Sequence, residues 1–317
     1  ALTGSLGAEL RRRRAWAAAP LAVLWLVPLL LPAQWTSAAG EPVRVALLQG
    51  NLPQLIKWTA EGQRRAIDTY LSMTGNLEER VDLVVWPEAA LPMFEDQAAP
   101  VLERASASLP ADTDLLTGVL QRDTRGLYYN SVVGRGDVEG EYRKAHLVPF
   151  GEYLPLESLL RGVIAFFDLP APTMAPGPDD QAPIRAGTLT IGNAICYEII
   201  YPNLVAARAR DAEVLLTVSN DTWFGASIGP LQHLQMARLR ALENGRPVVR
   251  ATSNGVTAFI DPRGNITSRA PQFERAVLVD QITPMQGLTP FTRTGSWPTW
   301  LLAALLVLPS LRLRRKP

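Results

Sequence analysis

The single cysteine of this chain, Cys196, lies in the stretch NAICYEIIYP at 193–202, after an apolar run and directly before Tyr197 and Glu198. A cysteine that attacks an acyl carbon reacts as the thiolate, whereas the pKa of a free thiol is about 8.5. A nucleophilic role for Cys196 therefore requires a base nearby. A lone cysteine also serves as a small apolar core residue, and that second interpretation stays open at this point.

Two kinds of side chain could take the thiol proton. Histidine is the usual base, and the chain has two histidines, His146 and His233. A carboxylate such as Glu88 is a weaker match, because about four pKa units, roughly 5.7 kcal/mol, separate it from a thiol. A lysine such as Lys144, placed about 4 Å from the sulfur, would supply up to ~4 kcal/mol at an effective dielectric constant of about 20. A Glu–Lys–Cys set therefore works only if all three side chains meet in one enclosed pocket.

Alternating strands and helices are predicted to position these groups. Apolar runs at 43–51, 82–88, 142–150 and 213–220 predict strands, and the periodicity at 229–246 predicts a helix. This alternation indicates α/β layers, in which ligands bind beyond the carboxyl ends of the strands. Polar residues stand at or near the ends of several predicted strands, and they are Glu88, Lys144, Cys196 and Asn220. Taken singly, Glu88 and Lys144 also fit the description of solvated surface charges.

Composition excludes several classes of function. The net charge of the 317 residues is +1, so no strong electrostatic field favours nucleic acid. One cysteine excludes an intramolecular disulfide and a cysteine-based zinc site, and two histidines argue against a histidine-rich metal centre. We expect neither a metal nor a cofactor. No repeat or low-complexity linker divides the middle of the chain, and we expect one catalytic domain at 41–292.

Both ends of the chain predict membrane segments. The run at 15–33 carries no charge, follows four arginines, and would reach about 28 Å as a helix. A shorter apolar run near the C-terminus precedes a basic tail. The predicted boundaries are a cytoplasmic loop at 1–14, a transmembrane helix at 15–35, a second one at 296–311 and a cytoplasmic tail at 312–317.

The arginines flank both apolar runs on the outer side, which predicts that both chain ends are cytoplasmic and the middle lies across the membrane. The rival interpretation of the first run is a secretory signal peptide, since TSAAGE resembles a small-residue cleavage site. The chain begins at Ala1 rather than at methionine, and we expect it to be a fragment.

Longer motifs carry a family resemblance. VVWPEAALP, YRKAHLVPFGEYLP and NAICYE together resemble the nitrilase superfamily of carbon–nitrogen hydrolases. Two further segments narrow the match to one family. They resemble segments of the bacterial apolipoprotein N-acyltransferases, and they read SNDTWFG and QMARLRALENGRPVVRATSNGVTAFIDPRG. The resemblance covers essentially all of 43–290. It implies an α/β fold, the nitrilase-like αββα four-layer sandwich, flanked by transmembrane helices.

The resemblance also implies residue roles. Glu88 becomes the general base, Cys196 the nucleophile and Lys144 the stabiliser of the intermediate. Supporting positions match the family at Trp58, Glu152, Tyr197 and Glu198. Trp223 and Phe224 are our candidates for an apolar cover over the site, although simple core packing would also explain them.

The function implied is acyl transfer in two steps. An acyl chain of a membrane phospholipid, typically phosphatidylethanolamine, passes to Cys196 as a thioester. It then moves to the N-terminal α-amino group of a diacylglyceryl-cysteine apolipoprotein. The implied location is the bacterial cytoplasmic (inner) membrane, multi-pass, with the catalytic domain on the periplasmic side, although the family has several membrane helices before this domain and only one is visible here. The alternatives are a membrane-tethered amidase acting on small amides and a non-catalytic membrane scaffold.

Overall fold

The computed structural model describes residues 34–153 and 174–313, together with the isolated positions 26, 30 and 32. Contacts divide the chain into two compact units, Ala1–Trp35 and Thr36–Pro317. The predicted first membrane helix lies almost wholly outside the described residues. Every strand in the described part of the chain belongs to the second unit.

One sheet is built around three parallel strands. In the order in which they lie side by side, its described strands are β14 (Ala276–Ile282), β2 (Val43–Gln49), β3 (Leu83–Trp86), β4 (Asp114–Arg122), β5 (Tyr128–Arg135) and β7 (Tyr142–Arg143). Strands β2, β3 and β4 are parallel, while β14, β5 and β7 run antiparallel to their neighbours. The carboxyl ends of the central strands therefore share one edge of the sheet.

A second sheet repeats this arrangement. Its described strands, side by side, are β13 (Ile266–Arg269), β12 (Ala258–Ile260), β11 (Val248–Thr252), β10 (Val214–Ser219), β9 (Leu189–Ile195), β8 (Ile184–Ala186) and β6 (Val138–Glu139). Strands β9, β10 and β11 are parallel. A short antiparallel pair, β1 (Ser37–Ala38) with β15 (Met285–Gln286), lies apart from both sheets.

The described helices are α1 (Ala60–Gly75), α2 (Glu95–Ala107), α3 (Pro202–Ala209), α4 (Gly229–Asn244), α5 (Pro290–Thr294) and α6 (Trp297–Leu313). Four of the described helices, α1 to α4, cover the outer faces of the sheets. Helix α1 begins after Thr59, whose hydroxyl accepts a hydrogen bond from the backbone N–H of Gly62. Helix α4 ends at Gly245, which adopts a left-handed conformation with φ of +58° that glycine takes without strain.

Three apolar layers hold the sheets and helices together. The central one is formed by side chains of both sheets, such as Leu47 and Val85 from the first and Ile195 and Val218 from the second. A second layer lies between the first sheet and helices α1 and α2, and a third between the second sheet and helices α3 and α4. This order of layers, helix–sheet–sheet–helix, confirms the expected α/β sandwich.

The predicted strand at 142–150 is wrong beyond Arg143, where β7 ends. The backbone N–H groups of Ala145 and His146 donate to the carboxylate of Glu198 instead of to a neighbouring strand. Lys144 and His146 consequently do not share one face of a strand. The predicted helix at 229–246 and the strand at 213–220 agree with α4 and β10 within two residues.

Within the described segments, no helix is both long enough and apolar enough to cross a membrane. The predicted C-terminal span corresponds to helix α6, whose apolar side chains include the exposed Trp300 and Leu305. A membrane-spanning role for α6 and for 15–35 stays a prediction, as do the predicted domain boundaries.

Candidate active site

Four of the residues singled out by sequence stand where strands end. Cys196 and Asn220 directly follow β9 and β10, Lys144 follows β7, and Glu88 lies two residues beyond β3. The two sheets face each other, so these ends converge on one region. Cys196 has φ of +52°, a left-handed conformation that is unusual for a residue other than glycine. Such strain of about 1–3 kcal/mol persists only where the surroundings enforce it, and it is typical of functional sites.

Lys144 lies between two carboxylates. Its ammonium Nζ donates to Glu152 Oε1 at 2.7 Å and lies 3.9 Å from Glu88 Oε1. The side chain is almost fully buried, with 1% exposed. Burial opposes the charge, but the carboxylates of Glu88 and Glu152 outweigh it and raise the pKa of Lys144 above its usual value. Lys144 is therefore a fixed positive charge in the site.

Glu88 is buried and held by two short hydrogen bonds. Its Oε1 accepts from the side-chain amide of Asn130 at 2.6 Å, and its Oε2 accepts from the backbone N–H of Asn220 at 2.6 Å. These contacts orient the carboxylate before any substrate arrives. Sequence reasoning missed Asn130, although a polar residue within the apolar run of β5 is a signal that could have found it.

The thiol of Cys196 is protonated in the free site. Burial raises the pKa of Cys196 to about 12, and the charges of Glu88 and Asp221 add to the rise, while the charge of Lys144 lowers it. Lys144 alone thus does not produce a stable thiolate. If Cys196 is the nucleophile, its proton leaves as the sulfur attacks, and a buried carboxylate beside Lys144 is the candidate acceptor.

Glu198 is a buried carboxylate that joins two segments of the site. Its oxygens accept hydrogen bonds of 2.7 to 3.0 Å from the hydroxyl of Tyr142 and from the backbone N–H groups of Ala145, His146 and Ile195. Burial raises the pKa of Glu198, and these N–H donors oppose the rise. The contacts fix the segment after β7 against the strand that precedes Cys196, so Glu198 supports the site rather than reacting in it.

Glu152 and Lys57 complete the charged environment. Glu152 holds Lys144 through Oε1 and accepts from the backbone N–H of Val148 through Oε2 at 2.8 Å. Lys57 was missed by sequence reasoning. Burial lowers the pKa of Lys57 to about 8, and the nearby carboxylate of Glu88 opposes part of that shift.

Aromatic side chains predicted near the site are mostly exposed. Trp223 is 72% exposed, Trp58 51% and Phe224 44%, so simple core packing does not explain the pair in SNDTWFG. The loop of Trp58 lies beside the loop of Trp223, because Gln54 Oε1 accepts hydrogen bonds from Asn220 and Thr222. The ring of Tyr197, half-buried, packs edge-on against Tyr201.

Among the residues that the structure describes, no contact joins either histidine to the thiol of Cys196. His146 is exposed, and its ring lies 4.4 Å from that of Tyr201. The ring of His233 is buried and reaches the backbone carbonyl of Cys196, with 2.9 Å between Nε2 and the oxygen. The described residues contain no group of three or more His, Cys, Asp or Glu side chains that could hold a metal ion. Glu88, whose charge acts on the thiol of Cys196, is the candidate base.

Residues 44–287 match the carbon–nitrogen hydrolase family. The chain is 49% identical over 287 residues to the apolipoprotein N-acyltransferase of Pseudomonas paraeruginosa, a match that covers 89% of this chain and 56% of the relative. It is 50% identical over 278 residues to that of Azotobacter vinelandii, with 86% and 54% covered. The chain thus spans about half the length of these curated relatives.

Solved structures show the same fold at low sequence identity. A carbon–nitrogen hydrolase from Helicobacter pylori superposes with a TM-score of 0.55 at 18% identity, covering 76% of this chain and 89% of the other. An amidase from Nesterenkonia sp. AN1 bound to acrylamide gives 0.54 at 16% identity, covering 78% and 92%. At this identity the likeness concerns the fold alone.

Proposed function

The chain belongs to the carbon–nitrogen hydrolase family, and we propose that it performs the acyl transfer of the apolipoprotein N-acyltransferases to which it is similar. The observation that carries this proposal is the meeting of a buried base, a buried ammonium and the single cysteine. Glu88 Oε1 and Lys144 Nζ are 3.9 Å apart, and both charges act on the thiol of Cys196. Identities near 50% over most of the chain support the same reaction.

In the first step, Cys196 Sγ attacks the carbonyl carbon of a phospholipid acyl ester while Glu88 takes the thiol proton. The oxyanion that forms lies near the ammonium of Lys144, which stabilises its charge without any reorganisation of the site. The ester C–O bond then breaks, and Glu88 returns the proton to the leaving alkoxide. The products are an acyl thioester on Cys196 and a lysophospholipid.

In the second step, the free α-amino group of a diacylglyceryl-cysteine apolipoprotein attacks the thioester carbonyl. Glu88 accepts a proton from the amine, the C–S bond breaks, and the proton passes to the departing sulfur of Cys196. The product is an amide on the lipoprotein, and the site returns to its starting state. The same Glu–Lys pair therefore serves both steps.

Both substrates are lipids, which agrees with the apolar surface around the site. Trp58, Trp223 and Phe224 are exposed, and so is Phe150 in the loop that carries Glu152. A small, polar amide would gain nothing from such a rim. We place the protein in the bacterial cytoplasmic membrane, with the catalytic domain on the periplasmic side, on the basis of the arginine-flanked apolar runs at both ends.

The acceptor distinguishes this function from an amidase. The protein is incubated with phosphatidylethanolamine vesicles and a synthetic lipopeptide that carries a diacylglyceryl cysteine with a free α-amine. We expect mass spectrometry to show one added acyl chain on this lipopeptide and none on its N-acetylated counterpart. The Cys196→Ala variant is the control. Hydrolysis of small amides without any acylation of the lipopeptide would contradict the proposal.

A further inference from the structure

The backbone at Cys196 needs an anchor, because its φ of +52° is unfavourable for a side chain with a Cβ. The residue stands at the sharp bend between β9 and the short helical turn Cys196–Ile200. Any relaxation of this bend would re-aim the sulfur relative to Glu88 and Lys144. A group that holds the carbonyl of Cys196 would prevent such a relaxation.

His233, in the second turn of α4, makes that contact. Its Nε2 lies 2.9 Å from the carbonyl oxygen of Cys196, and the ring is buried. A carbonyl oxygen only accepts hydrogen bonds, so Nε2 must carry the hydrogen and donate it. This fixes the orientation of the ring, which acts on the backbone of the nucleophile and not on its sulfur.

A buried polar network holds the ring from its other side. Arg250 Nη2 lies 3.1 Å from His233 Nδ1 and donates to Asp221 Oδ2 at 2.7 Å, while Asp221 Oδ1 lies 3.0 Å from the same Nδ1. Ser219 donates to the same carboxylate at 2.6 Å. Arg250 and Ser219 belong to neighbouring strands β11 and β10, so the network is fixed to the rigid sheet.

The same network reaches the entrance of the site. Asp221 and Phe224 belong to one short helical turn, and the ring of Phe224 packs edge-on against His233, with 6.3 Å between the ring centres. Phe224 is itself partly exposed at the rim. One histidine therefore contacts both the rim turn and the backbone of the nucleophile.

We propose that His233 is a positioning residue that holds Cys196 in its reactive conformation through the carbonyl hydrogen bond. The proposal rests on the proposed function only in taking Cys196 as the nucleophile. Loss of the bond lets the sulfur shift, and a shift of about 1 Å lowers a reaction rate on the order of 10²-fold. We expect donor binding to change little, because the ring of His233 is buried.

Two variants of matched size test this role. His233→Gln keeps an N–H donor at a similar reach, whereas His233→Leu fills the same space without one. The rate of acyl-thioester formation on Cys196 is followed at increasing phosphatidylethanolamine concentration, together with the rate of alkylation by iodoacetamide. His146→Gln is the control, since His146 is exposed. If His233→Leu does not fold, His233→Met takes its place.

We expect His233→Leu to lose about 10²-fold in the maximal rate of thioester formation, with a half-saturating donor concentration within about threefold of wild type. His233→Gln should recover most of the loss, and alkylation should follow the same order. The proposal would be overturned if a folded His233→Leu or His233→Met protein stayed within threefold of wild type in both thioester formation and alkylation. It would also be overturned if a folded His233→Gln protein reacted no faster than His233→Leu. Alkylation uses no lipid, so it still tests the positioning role if wild type forms no thioester and the proposed function fails.

Discussion

Replacing Gly118 by alanine should displace the base without altering any group that reacts. Gly118 lies in β4 directly against the segment that carries Glu88. A Cβ at this position would lie 2.5 Å from Glu88 Cα, 2.8 Å from the carbonyl oxygen of Pro87 and 2.9 Å from the backbone nitrogen of Ala89. All three atoms belong to the backbone, so no change of rotamer relieves the clash.

The size of the effect follows from these distances. Carbon atoms in contact are about 3.5–4.0 Å apart, so the backbone at Glu88 must move by roughly 1 Å. That movement stretches the hydrogen bonds from Asn130 and Asn220, both 2.6 Å long, that orient the carboxylate. A misplacement of about 1 Å lowers the rate on the order of 10²-fold, or about 2.7 kcal/mol in the barrier. Overpacking lowers the stability of the fold by about 1–3 kcal/mol.

The assay is single-turnover formation of the acyl thioester from phosphatidylethanolamine, with the melting temperature measured in parallel. Gly75→Ala, at the end of helix α1, is the matched control, because no atom beyond the backbone of its own helix lies within 4 Å of its new Cβ. We expect the control to react like wild type. A Gly118→Ala protein that folds and reacts within threefold of wild type would refute the placement of Glu88 as the base.

Three further changes test other parts of the site. Glu88→Gln should lose at least about 10²-fold in the rate of thioester formation. His146→Gln should keep most activity, because the ring of His146 is exposed. If a single-turnover assay gives the reverse order, the base is wrongly assigned. Trp223→Ala or Phe224→Ala should leave thioester formation measurable but slow transfer to the lipopeptide amine relative to release of free fatty acid, and an unchanged ratio would exclude this loop as the cover. Asp221→Asn should lower the stability by about 3–5 kcal/mol near neutral pH, because Arg250 then lacks its partner.

The Asp221 prediction has a defined pH dependence. Burial would raise the pKa of Asp221, but Arg250 and His233 outweigh it and hold that pKa below its usual range. A carboxyl group whose pKa is depressed on folding stabilises the fold above its unfolded pKa of about 3.9, and this contribution disappears as the pH falls. The stability difference between wild type and Asp221→Asn should therefore shrink below about pH 4 in denaturant titrations. A difference that is constant from pH 7 to pH 3 would argue against an ionised Asp221.

The meeting of Glu88, Lys144 and Cys196 in one site could be predicted from sequence because it follows a local rule. Glu88, Lys144 and Cys196 each end or follow an apolar run, and the carboxyl ends of strands in α/β folds gather at one edge. The family motifs then assign a role to each residue. The sandwich itself was predictable for the same reason, since alternating strands and helices leave few ways to bury their apolar faces.

Contacts between distant segments could not be predicted. The bond from Asn220 N–H to Glu88 joins residues 132 positions apart, and nothing in either local sequence marks it. Strand β7 ends early because Glu198 competes for the backbone N–H groups after Lys144. His233 was predicted as a possible base from its residue type alone, and only the fold reveals that it faces the carbonyl of Cys196.

The central claim is that Cys196 accepts an acyl chain from a phospholipid, and the mass of the intact protein tests it most directly. The protein is incubated with phosphatidylethanolamine of one defined chain length, without the lipopeptide acceptor, and the reaction is quenched in acid. We expect the mass to rise by that of the acyl group, the addition to map to Cys196 and to be released by hydroxylamine, and Cys196→Ala to show none. A folded wild-type protein that gains no acyl group, or that carries it on another residue, would contradict the proposed reaction.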